Sequence, residues 1–214
     1  MTETSPRSPQ RGIVGEPRKG KIGVLIEEHF DMTEFRRFNE LFPQHGYQVV
    51  YLSHLWGNPT LTFGSNPDNG WVEEHVVVET EINSVDPTDY KGVIIIGAYA
   101  SDRLRYQVAP RKGEPNQAPA VAFIRRAFAT PPTKIGTICH SLWLLCADRA
   151  LLEGRRVTCA HNIICDVENA GAEVAYGPEG TVDLVVDGHL ITGKHPAVTD
   201  QFIATFLAEI EKAD

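Results

Sequence analysis

The chain has 214 residues, enough for one domain with a substantial core. Apolar residues make up 42% and charged residues 22%, an ordinary globular balance. The formal net charge of −8 argues against nucleic-acid and anionic-membrane partners. No apolar run reaches the roughly 18 residues of a membrane span, and the N-terminus lacks the apolar stretch of a secretory signal. Four cysteines (Cys139, Cys146, Cys159, Cys165) without a CxxC pair predict neither a disulfide framework nor a zinc knot, so the expectation is a reduced, soluble, cytoplasmic protein.

Residues 1–19 are rich in Pro, Ser, Arg and Thr without periodicity and read as a disordered arm, leaving residues 20–214 as a single domain. The near-continuous apolar run Lys21–Ile26 predicts a strand covered on both faces. Asp31 followed by Glu34 resembles a capping box. It would open a helix carrying Phe35, Phe38, Leu41 and Phe42 on one face and ending near Gly46. Tyr47–Ser53 is a second strand. Thr60–Phe63 and Trp71–Thr80 flank the turn-forming Ser65–Gly70 and predict a hairpin or meander. Gly92–Gly97 is another buried strand, Gln107–Pro119 a loop and Val121–Phe128 a helix. Arg155–Ala160 reads as a strand and Ile163–Ala170 as a short helix closed by Gly171. Leu184–Gly193 is a hairpin turning at Asp187-Gly188, and Thr199–Lys212 a helix burying Phe202, Ile203, Phe206, Leu207 and Ile210. Alternating strands and helices of these lengths predict a three-layer αβα domain with a mostly parallel sheet.

The segment Lys134–Leu145, KIGTICHSLWLL, carries the chemistry. A β-branched run ends at Cys139, and an apolar helical segment starts at once. A turn residue there meets the orphan N–H groups of the helix, which stabilise a thiolate, and His140 beside it could exchange a proton. This is the strand–nucleophile–helix logic of an elbow, with cysteine as the nucleophile. His29, His140, His161 and His195 all fall near predicted strand ends, but none has HExxH or H-x₃-H spacing, so no metal is predicted. Trp143 reads as core packing in the elbow helix. Cys159 and Cys165 read as small buried apolar residues.

Several collinear segments resemble the ThiJ/PfpI family, the superfamily of the parkinsonism-associated deglycase, and especially its PfpI-type intracellular-peptidase branch. The resemblance runs from about Lys21 to the C-terminus. TICHSLWLL is similar to the family elbow AICHGxxxL, and FDMTEF to its early acidic motif. LEGRRVTCAHNIICDVENAG and VVDGHLITGKHPAVTDQF are similar to two later blocks. The resemblance implies a flavodoxin-like sandwich, a homodimer or higher homo-oligomer, and no cofactor. It places the nucleophile at Cys139, the proton shuttle at His140 and the site glutamate at Glu34. Asp102, in GAYASD, falls where the PfpI branch places an acid that orients the histidine, within or across a subunit boundary; a surface or helix-capping aspartate is the alternative. Gly97 and Ala98 stand at the oxyanion segment. Ser141 replaces the elbow glycine and is expected, with His161 and His195, to line the substrate pocket. His161 lies one residue beyond the position that carries histidine in the deglycase branch.

The expected activity is cysteine-dependent hydrolase or lyase chemistry on a reactive carbonyl or a glycated amine, of the glutathione-independent glyoxalase or deglycase type. Peptidase or isonitrile hydratase activity is the enzymatic alternative. A redox-sensing or chaperone-like stress protein with an oxidisable Cys139, or a non-catalytic binding module, are the others.

Overall fold

Strands covered on both faces organise the molecule. The structure, a computed structural model, describes residues 8–69 and 73–212. The chain runs through β1 (Gln10–Arg11), β2 (Ile13–Val14), β3 (Gly20–Leu25), α1 (Met32–Gln44) and β4 (Tyr47–Ser53). β5 (Leu61–Gly64), β6 (His75–Val78), β7 (Thr80–Glu81) and β8 (Gly92–Ile95) follow. Then come α2 (Ala100–Arg105), α3 (Pro119–Phe128), β9 (Lys134–Ile138), β10 (Arg156–Val157) and α4 (Ile164–Asn169). Short strands β11 (Glu173–Val174), β12 (Tyr176–Gly177) and β13 (Gly180–Thr181) precede β14 (Leu184–Asp187), β15 (Leu190–Gly193) and α5 (Thr199–Glu211).

Eight strands form the main sheet among the described residues, in the order β14-β15-β9-β8-β3-β4-β2 with β7 beside β4. The interior pairings from β15 through β9, β8 and β3 to β4 are parallel. The β14–β15 hairpin and β2 add antiparallel edges. This is the α/β architecture read from the sequence, and α-helices cover both faces as a parallel sheet requires.

Alternation along the strands divides the core in two. Ile22, Val24 and Ile94 pack with Phe35, Phe38 and Phe42 of α1 and Phe202 and Phe206 of α5. Leu25, Val93 and Ile95 face the other way, against Phe123 and Ile124 of α3 and the apolar residues after Cys139. The phenylalanine layer lies so close to the sheet that a Cβ on Gly136 would stand 2.7 Å from Phe202 Cζ.

Three expectations change. Residues 10–14 belong to strands, β1 beside β6 and β2 beside β4, so the arm is folded well before Lys19. Two-residue edge strands are too short to leave a periodic signal; residues 1–7 lie outside the described residues. Arg155–Ala160 is a strand only at Arg156–Val157. Beyond it the backbone leaves the ladder, Thr158 N–H donating to Thr192 Oγ1 (2.9 Å) and Ala160 N–H to Cys139 O (3.2 Å). Helix α2 has no counterpart in the sequence reading, because six residues carry no usable period. In the β5–β6 hairpin Leu61 pairs with Val78, as the flanking runs predict, while residues 70–72 of its connection lie outside the described residues. No described helix is long and apolar enough to cross a membrane.

Candidate active site

Adjacent parallel strands β3, β8 and β9 end on the same edge of the sheet, the side where open α/β sheets bind ligands. Just beyond each end, one non-glycine residue adopts the left-handed region: His29 (φ 64°), Ala98 (φ 57°) and Cys139 (φ 59°). Such conformations cost about 1–3 kcal/mol each and cluster at functional sites. Their loops are tied together, with Phe30 bridging Ala98 and Tyr99 N–H donating to His29 O at 3.1 Å.

Cys139 is the elbow. It opens a helical segment of 3₁₀ turns, Cys139–Ala147, directly from the end of β9. Ser141 closes that turn: its hydroxyl accepts from Ile138 N–H (2.7 Å) and donates to Ile138 O (2.8 Å). Ser141 is wholly buried with its hydroxyl committed to the backbone, whereas the sequence leads one to expect it in the pocket lining. The serine that replaces glycine acts instead as a clip on the elbow.

Glu34 sits on the first turn of α1, and Asp31 caps that helix by accepting Glu34 N–H at 2.9 Å. The capping box is only half made. The Glu34 carboxyl turns to the neighbouring strand end, where Oε2 accepts Gly97 N–H at 2.7 Å. The approach requires glycine, since a Cβ on Gly97 would stand 2.5 Å from Oε1. Glu34 is wholly buried, and its Oε1 has no hydrogen-bond partner among the described residues. Burial, reinforced by the charge of Asp31 and opposed by the Gly97 N–H, holds the carboxyl well above the usual carboxylate range. The fold thus favours the protonated carboxyl, whose O–H is able to donate.

The cysteine differs from expectation. Burial pushes the Cys139 thiol up to about 12, the negative charge of Glu34 and Asp31 adds to this, and the backbone N–H groups of His140 and Ala98 oppose it. The elbow does aim N–H groups at sulfur, but desolvation outweighs them because the sulfur is largely enclosed beside a buried carboxyl. A protonated Glu34 removes the second largest of these contributions and can donate to sulfur.

His140 and Asp102 sit on opposite sides of one contact. Ser101 hydroxyl donates to His140 O (3.3 Å), and the His140 ring stands edge-on to Tyr99 with centroids 5.7 Å apart. Asp102, raised by burial and lowered by the charge of His140, reaches the histidine through space, and no hydrogen bond joins the two among the described residues. The bond on the imidazole comes from Asn162, whose Nδ2 lies 2.5 Å from Nε2. Sequence reasoning missed Asn162 and Tyr99. The pair His161-Asn162 after a strand was a signal, but only the histidine was taken from it.

His161 and His195 lie apart from this group. With Tyr176, Lys194, Ala160 and Thr181 they line an adjoining cleft of about 270 Å³. His195 Nδ1 accepts Ala197 N–H at 3.1 Å, and Lys194 is paired with Asp183 at 2.7 Å. Trp143 is half-buried against the core, its indole N–H on Asp166 (3.1 Å) and the Arg105 guanidinium 4.4 Å from its ring. Cys159 is buried as expected, and Cys165 is exposed. The structure thus gathers Cys139, Glu34, Gly97, Ala98, His140 and Asp102 and leaves His161 and His195 next door.

The model of the DJ-1/PfpI family matches residues 20–209. An uncharacterized protein of Staphylococcus haemolyticus is 25% identical over 191 residues, covering 89% of this chain and 98% of the relative. A two-domain protein of Anabaena variabilis, with DJ-1/ThiJ/PfpI-like and ferritin-like domains, is 25% identical at a TM-score of 0.72. That match covers 90% of this chain, which spans about half (48%) of the two-domain chain. A ThiJ/PfpI domain protein from Brachyspira murdochii is 15% identical at a TM-score of 0.72, covering 94% of this chain and 100% of the other.

Proposed function

Because the chain belongs to the DJ-1/PfpI family, we propose that it is a cysteine-dependent enzyme that adds water to small reactive carbonyls, with Cys139 as nucleophile. One observation carries this reading: the strained elbow cysteine faces the backbone N–H groups of Ala98 and His140 and lies beside a wholly buried Glu34 carboxyl with an unpartnered oxygen. Sulfur adds to the aldehyde carbon of a 2-oxoaldehyde such as methylglyoxal. The carbonyl electrons move to oxygen, which the N–H groups and the Glu34 O–H receive. The resting thiol keeps its proton, so attack requires an acceptor, and His140 is the adjacent base. A proton shift from the attacked carbon to the neighbouring carbonyl carbon then gives a thioester. Solvent water hydrolyses it to a 2-hydroxy acid and frees the thiol. A largely buried sulfur suits a small electrophile better than a peptide.

The redox-sensing alternative gains nothing from the site. Oxidation by peroxide follows thiolate character and exposure, and burial works against both at Cys139. Methylglyoxal turnover by the wild type and C139S tests the proposal. The serine variant is expected to lose at least roughly a thousandfold in kcat/KM, with a melting temperature within a degree or two of the wild type. Undiminished turnover in C139S, or no turnover of any 2-oxoaldehyde by the wild type, would overturn it.

A further inference from the structure

We propose that Asn162 is a positioning residue that sets the tautomer of His140 and governs when its Nε2 can take a proton. The inference rests on the reading of His140 as proton shuttle, but its test does not require that reading. Asn162 Nδ2 lies 2.5 Å from His140 Nε2. An amide nitrogen only donates, so Nε2 is the acceptor and the neutral ring carries its proton on Nδ1. The loop that holds Asn162 is bolted to the nucleophile itself, through the Ala160 N–H to Cys139 O bond at 3.2 Å. The histidine is fixed from the other side by the Ser101 hydroxyl on its carbonyl (3.3 Å) and the edge-on ring of Tyr99. The ring therefore sits between two walls, and its one basic nitrogen is held by the amide.

The choice of an amide has a chemical consequence. The charged group set against the ring is Asp102 of α2, which itself feels Arg103 and Arg105; Cys139 precedes the histidine on its own segment. Asp102 lies within range of the ring's charge and makes no hydrogen bond to it among the described residues. A carboxylate at position 162 would add a second negative charge and could only accept. An amide can serve both protonation states: Nδ2 donates to the neutral nitrogen, and after the side chain turns, Oδ1 accepts from the new Nε2–H. Asn162 thus orients His140 throughout a cycle in which the ring gains and then returns a proton, and base function at Nε2 opens when the amide turns.

The test is the tautomer of His140 read from side-chain ¹⁵N–¹H correlation spectra, with the signal assigned by its loss in H140Q. The wild type is expected to show the Nδ1–H form. N162D is expected to invert it to Nε2–H, because the carboxylate only accepts, and N162A to show a mixture. All three are expected to keep the fold, since Asn162 is exposed. With methylglyoxal, N162A is expected to lower kcat by about tenfold with little change in KM. The same tautomer in all three proteins would overturn the proposal. An absence of carbonyl turnover in the wild type would count against the proposed reaction and leave the spectroscopic result to decide this one.

Discussion

At the scale of the residue, burial decides the protonation of Glu34 and through it the chemistry of Cys139. The carboxyl is raised well above 4.5 mainly by desolvation, so the folded protein holds the proton more tightly than the unfolded chain does. The stability of the neutral form is fully present below about pH 4.5 and is lost as pH rises toward the folded midpoint, because the unfolded carboxyl ionises first. A glutamine in its place does not titrate and keeps an acceptor for Gly97 N–H. The melting temperature of E34Q is therefore expected to match the wild type near pH 4 and exceed it by a few degrees at pH 8, at roughly 2–4 °C per kcal/mol. A difference that stays constant across that range would show that folding does not raise the Glu34 carboxyl. Glu34 was legible in the sequence as a site residue and as a cap. Its loss from the cap to Gly97 was not, because Gly97 lies 63 positions away.

At the scale of the element, the elbow depends on how one turn satisfies its own backbone. Ile138 is the last residue of β9, and its N–H and C=O are both bonded to the Ser141 hydroxyl. S141A removes the hydroxyl partner of both groups, and a buried group left unsatisfied costs about 1–3 kcal/mol. The expected outcome is a melting temperature several degrees lower, with altered alkylation of Cys139 by iodoacetamide at matched temperature because the left-handed turn relaxes. Unchanged values of both would mean that the clip contributes nothing. Strands β3, β4, β8 and β9 and helices α1, α3 and α5 were readable because apolar residues run together or recur at helical spacing over four or more positions. The two-residue strands and α2 were not, since their place is set by neighbours: β2 lies on β4, and α2 follows the left-handed Ala98.

At the scale of the whole molecule, two apolar layers press a parallel sheet from opposite sides and leave one edge of it for chemistry. The phenylalanine layer leaves no room at Gly136, where a Cβ would meet Phe202 at 2.7 Å and Phe206 at 3.0 Å. G136A is expected to cost about 1–3 kcal/mol by overpacking, measured by denaturant unfolding, while the elbow beyond the strand's end keeps its geometry. A neutral result would mean that α5 can shift off the sheet freely. The sequence by itself determined the strand–helix alternation, the parallel sheet and the candidate nucleophile, because periodicity and an elbow motif are local properties of the chain. Only the tertiary structure decided the pocket. It brought Glu34 and Gly97 together, turned Ser141 inward, placed Asn162 rather than Asp102 on His140, and raised the thiol instead of lowering it. Each outcome depends on burial and on partners far apart in sequence, and desolvation is a property of the assembled fold.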